Sequence, residues 1–158
     1  MNTQELYIKT IFCCMACDGD IANEEVALVH NITSKQNIFD GMDVNAIING
    51  YVASINDNGA LFLKQYLNEL SSQELSNNEQ KTIVDFALKT IFADNRIEYS
   101  EVKFFKKIRS RLSLTDEEIL DNHPDVEDFL LPDINVAEDP VWENVVFEII
   151  NFADYEQI

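Results

Sequence analysis

M15-A-C-D-G-D-I-A-N-E-E-V26 joins an apolar stretch on its left to a patterned one on its right, and four carboxylates crowd around its single glycine. To the left, Ile8, Ile11, Phe12 and Met15 follow the i, i+3, i+4, i+7 rule, which predicts an amphipathic helix ending near Cys17. Asp18-Gly19 breaks it, since an aspartate bonds the N–H groups of its own turn and a glycine enters φ > 0 without strain. To the right, from about Ala22, Val26, Val29 and Ile32 recur at helical spacing until the pattern fades over residues 34–37. The unit is a helix, an acidic turn and a second helix.

The unit occurs twice. A93-D-N-R-I-E-Y-S-E101 repeats the turn when Asp18 is laid on Asp94, an offset of 76 residues. Ile21 then meets Ile97, Glu25 meets Glu101 and Val26 meets Val102, while upstream Ile8, Phe12 and Met15 meet Val84, Leu88 and Ile91. A literal K-T-I-F at residues 9–12 and 89–92 is 80 residues apart, one helical turn out of this register, and carries no weight.

Four glycines and three prolines in 158 residues leave little turn material for a sheet, and 46% hydrophobic residues suffice for a core. The expectation is an all-α, compact bundle of about seven helices. Between the two units, Asp43 is a candidate N-cap for a helix carrying Val44, Ile48, Val52 and Ile55, and Leu61, Phe62, Tyr66, Leu67 and Leu70 make the next. S76-N-N-E79 has the form of a capping box opening the helix of Ile83, Val84, Ala87 and Ile91, and T115-D-E-E118 opens a short one through Leu120. The helix after Asp94 carries a basic face of Lys103, Lys106, Lys107, Arg109 and Arg111, for which pairing with the acidic C-terminal region is the preferred use and an anion site the other.

Residues 1–120 are therefore one helical domain with repeat halves near 3–37 and 77–112, followed by an acidic C-terminal extension over 121–158. Residues 123–140 read as loop, with prolines at 124, 132 and 140, an irregular stretch long for a compact domain. Residues 141–152, with Trp142, Val145, Val146, Phe147, Ile149 and Ile150, read as a final helix docked on the body or on a neighbouring copy, so an oligomer through this helix is an alternative. Trp142 and Phe147 are its candidate partner-binding residues.

Charge narrows the function classes. The net charge is −18, with all 11 Lys and Arg in residues 1–111 and 14 of the 29 acids in 112–158. Such a field disfavours nucleic acid and anionic lipid surfaces as partners and suits cations or a basic protein surface. The sequence contains no run of about 20 apolar residues, so direct membrane insertion is not expected, and its start lacks the pattern of a signal peptide. A cytoplasmic protein is expected, in keeping with three clustered cysteines, Cys13, Cys14 and Cys17, that suit buried thiols better than disulfides or a zinc site. His30 and His123 join no recognisable catalytic arrangement and there is no glycine-rich phosphate loop, so no enzymatic activity is expected.

D-G-x-I-x-x-x-E matches the second half of a calcium EF-hand loop, but Cys14 and Ala16, or Thr90 and Phe92, stand where the first oxygen ligands belong. An EF-hand is therefore rejected. If a metal binds, Asp18, Asp20 and Glu25 with Glu24 beside them form one site and Asp94, Glu98 and Glu101 the other, and oxygen ligands select a divalent cation such as Ca²⁺, Mg²⁺ or Mn²⁺. The same acids also suit the first turns of helices, where the dipole favours them and a capping glutamate sits near the third position. Both readings remain open at this level.

The two copies, M15-A-C-D-G-D-I-A-N-E-E-V26 and F92-A-D-N-R-I-E-Y-S-E-V102, resemble the TerB-like family of tellurite-resistance proteins, over roughly residues 3–120. In the second copy Asn95 replaces the glycine, and Arg96 sets a cation beside Asp94. The resemblance implies a small helical bundle, a divalent-metal site among these acids, and a role with protein partners in stress-response complexes at the inner face of the membrane. The functional expectation is a non-enzymatic interaction module binding a divalent cation through its two acidic turns. A metal-free adaptor that binds proteins through its acidic tail is the alternative, and a metal-dependent hydrolase using carboxylates across the pseudo-twofold is more remote.

Overall fold

The side chain of Asn2 accepts the N–H of Glu5 at 2.8 Å and so starts the first helix, α1 (Thr3–Ala16). In the computed structural model, which describes residues 2–17, 19, 21, 23–35, 37–93, 97, 99–130 and 146–150, six more α-helices follow. They are α2 (Asn23–Lys35), α3 (Val44–Asn58), α4 (Ala60–Ser72), α5 (Asn77–Ile91), α6 (Tyr99–Ser110) and α7 (Asp116–Asn122). Short 3-10 helices span Asn37–Phe39 and Pro124–Leu130, and no strand occurs among the described residues. The all-α bundle read from the sequence is the observed fold.

The periodicity of α1 predicts a two-faced helix, but every residue from Leu6 to Ala16 is buried. It lies at the centre of the bundle, in contact with α3, α4, α5 and α6, so it has no solvent face to supply the polar side of the pattern. Its two polar interior residues are satisfied by side chains of α4. Lys9 Nζ bonds both carboxylate oxygens of Glu69 at 2.9 Å, and the Thr10 hydroxyl meets the Tyr66 hydroxyl at 2.6 Å while donating to the Leu6 carbonyl at 2.8 Å. The ring of Phe12 lies 5.6 Å from Tyr51 on α3 and 5.7 Å, edge-on, from Phe62 on α4.

Both capping boxes form. Ser76 Oγ accepts the Glu79 N–H at 3.1 Å while Glu79 accepts the Ser76 N–H at 2.8 Å, and Thr115 with Glu118 repeats the arrangement at the start of α7. The N–H of Ser76 holds the Glu79 carboxyl below its ordinary range, and the Asn77 side chain does so first for Glu118. These carboxylates therefore support their caps above the ordinary carboxylate pKa and cease to as pH falls through the lowered values. Ser76→Ala is expected to cost about 1 kcal/mol and to lower the thermal midpoint by roughly 2 to 4 °C; an unchanged midpoint would show the box idle.

The two halves meet through their first helices. α1 packs along α5, and each also touches the second helix of the opposite half, α1 with α6 and α5 with α2. This reciprocity is what a pseudo-twofold relation of the two repeats requires.

Two expectations for the C-terminal region change. First, residues 124–130 are not loop: Pro124–Leu130 forms 3-10 turns joined across a kink at Val126, which is buried, and Phe129 lies 5.7 Å from Phe92, stacked, and 5.8 Å from Phe105. Second, residues 146–150 are not helical. Phe147 exchanges two hydrogen bonds with the Asn56 side chain (2.7 and 3.1 Å), and Ile150 exchanges two with Asn49 (both 2.8 Å). Asn49 and Asn56 are two turns apart on α3, about 10.5 Å, and three residues of extended chain span about 10 Å, so the two ladders match in register. Helical periodicity misleads here because these side-chain amides supply the backbone pairing that a helix would supply internally. Phe147 and Ile150 are buried against the chain's own body, whereas Val146 and Ile149 are exposed.

Candidate functional site

Glu25 and Glu101 occupy equivalent places in the first turns of α2 and α6 and are 5% and 4% exposed. An acid at this position normally points to water, and burying one is expensive unless it is hydrogen-bonded or neutralised. Both carboxylates act on one thiol of the central helix. Burial pushes the Cys14 thiol well up, and Cys13, Glu101 and Glu25 push it the same way. The buried first-turn glutamates of α2 and α6 thus both bear on Cys14, near the C-terminal end of α1.

The backbone explains this placement. Gly19 adopts φ 90° and donates its N–H to the Ala16 carbonyl at 3.0 Å, closing α1 and turning the chain at once. Cys17 Sγ contacts the Cys14 carbonyl at 3.3 Å and the Ser100 carbonyl at 3.9 Å, which ties the end of α1 to the first turn of α6. Glu101 follows Ser100 directly and is carried inward with it.

Of the seven carboxylates proposed as metal ligands, the structure buries Glu25 and Glu101 in the first turns of α2 and α6 and leaves Glu24 exposed on α2. Asp18, Asp20, Asp94 and Glu98 lie outside the described residues, as does Trp142. Among the described residues no group of three or more His, Cys, Asp or Glu side chains is placed to hold a metal ion. Glu25 and Glu101 already have interactions within the chain, and carboxylate oxygens are the donor type that a hard cation takes. Phe147, expected to face a partner, is instead 6% exposed in its own chain, because α3 offers it both a greasy surface and a hydrogen-bonding amide.

The thiols are core side chains. Cys13, Cys14 and Cys17 are thiols outside any disulfide and at most 2% exposed, and burial raises the Cys13 and Cys14 thiols. A raised thiol is a poor nucleophile and a poor soft-metal ligand. His123 Nε2 lies 3.2 Å from Asp85, which also pairs with Lys89 at 3.0 Å on the surface of α5.

Three features have no signal in the sequence. Lys9 with Glu69 and the amides of Asn49 and Asn56 join segments 60 and about 100 residues apart, which no local pattern can announce. The third is a half-open apolar groove of about 140 Å³ between α4 and α6. Lys103 and Lys107 stand out on the basic face of α6 by spacing alone, but only packing adds Lys64 from α4. No helix among the described residues is long and apolar enough to cross a membrane. No family model, curated protein or solved structure matches the chain.

Proposed function

We propose that this chain is a non-enzymatic, TerB-like interaction module whose two acidic turns together hold a divalent cation. The observation that carries the reading is the burial of Glu25 and Glu101 at equivalent positions of the two halves, both acting on Cys14. A capping glutamate does its work at the surface, as Glu79 and Glu118 do, and needs no burial. A Ca²⁺, Mg²⁺ or Mn²⁺ ion would take Glu25 and Glu101 as oxygen ligands, with Asp18, Asp20, Asp94 and Glu98 as further candidates. When bound it would neutralise the carboxylates and clamp α2 and α6 to the end of α1. The module would then offer partners in a stress-response complex, membrane-associated by the family resemblance, a surface whose rigidity depends on the ion.

Thermal unfolding of metal-stripped protein with each cation added tests this. Folded-state binding at 100 times Kd adds about 2.7 kcal/mol, expected here as a midpoint rise of roughly 5 to 10 °C. Glu25→Gln and Glu101→Gln are each expected to abolish the rise. A midpoint indifferent to all three cations would reduce the two turns to helix starts and leave a metal-free, protein-binding adaptor as the function.

A further inference from the structure

The groove between α4 and α6 has an apolar floor of Leu63, Leu67 and Phe104 and a rim carrying Lys64, Lys103 and Lys107. At about 140 Å³ it approaches the roughly 150 Å³ of an engineered apolar cavity that takes up benzene, so it suits one aromatic side chain. Tyr99, 55% exposed, stands at its edge with Lys103 Nζ 5.7 Å from the ring centre. The matching ligand is an aromatic ring flanked by carboxylates.

We propose that the occupant is a segment of the chain itself, D139-P-V-W-E143, with Trp142 filling the floor and Asp139 and Glu143 at the lysine rim. Complementarity is the first argument. Residues 112–158 carry 14 acids and no Lys or Arg, and Trp142 is the single tryptophan, with an acid directly after it and another three residues before. Reach is the second. The chain is fixed again at Phe147 by Asn56 in the last turn of α3, four residues before Ala60, which opens α4 and lines the groove. Trp142 precedes Phe147 by five residues, which span up to about 17 Å.

Tethering is the third argument and selects this source over a separate acidic protein. A free anionic ligand must approach a chain of net charge −18, whereas a segment of the same chain is present at an effective concentration in the millimolar range. Lys64, Lys103 and Lys107 already have interactions within the chain. The inference stands apart from the cation reading, since none of its charged groups is among the carboxylates proposed to hold the ion.

The single tryptophan makes the full chain its own probe. Its emission should be blue-shifted relative to the unfolded chain, shielded from acrylamide and unchanged on dilution. The combined change Lys64→Glu, Lys103→Glu and Lys107→Glu should cut the docked-to-undocked ratio at least about tenfold, because each lost pair is replaced by repulsion. Adding Asp139→Lys and Glu143→Lys should restore the shielding. Asp139→Asn with Glu143→Gln, which leaves the groove untouched, should expose the indole in the same direction while far-UV circular dichroism stays constant. Water-exposed emission in the native protein, or shielding indifferent to every one of these changes, overturns the proposal. Shielding that falls on dilution overturns it too, by assigning the groove to the tail of a second copy.

Discussion

Replacing Phe12 with alanine is expected to lower the unfolding free energy by about 3 to 5 kcal/mol, read from urea denaturation as a fall in midpoint at unchanged slope. Phe12 is wholly buried at the middle of α1, with the rings of Tyr51 and Phe62 against it from two other helices. Because α1 is held by α3, α4, α5 and α6 together, no single helix can move in to fill the void, and the cavity cost stays near the upper end. A domain of this size has on the order of 5 to 15 kcal/mol in total, so the variant should sit close to the edge of folding. A loss below about 1 kcal/mol would mean that α1 is not the central helix.

Removing Glu69 should cost nearly as much. Glu69→Ala leaves the ammonium of Lys9, whose side chain is 8% exposed, without its carboxylate, and an expected loss of about 3 kcal/mol follows from stranding a buried charge. The ammonium also lies 4.8 Å from the centre of the Phe62 ring and 5.7 Å from that of Tyr51, contacts that soften the loss without replacing a charge partner. The double change Lys9→Met with Glu69→Leu should recover most of it, since a well-packed apolar pair can equal a buried ion pair. A double variant as unstable as Glu69→Ala would show that Lys9 contributes through packing or a wider network and not through this pair.

Most of the helices are legible in the order of residues alone. Asp43 caps α3 by accepting the Ala46 N–H at 3.1 Å, and Ser76 and Thr115 open α5 and α7 as their spacing to Glu79 and Glu118 predicts. These are interactions over three or four residues, and short-range geometry is written directly in the order of side chains. Residues 146–150 depart from their pattern for the opposite reason. Their apolar spacing suits a helix, yet two asparagines about 100 residues earlier offer the backbone a better set of partners.

The candidate site divides along the same line. The repeat places Glu25 and Glu101 in equivalent positions, and periodicity gives each a place in the first turn of a helix. Nothing in either stretch says that the two carboxylates would be buried, or that both would press on Cys14.

The all-helical class, the doubled helix–turn–helix unit, the caps and the concentration of acid in the last third of the chain can be read from the order of residues. Packing set the rest: α1 is wrapped on all sides, Lys9 finds Glu69, Glu25 and Glu101 are buried, and Lys64 joins Lys103 and Lys107 around one groove. Helix formation is governed by neighbours within a turn or two, whereas burial and charge pairing depend on which surfaces meet once every helix is in place.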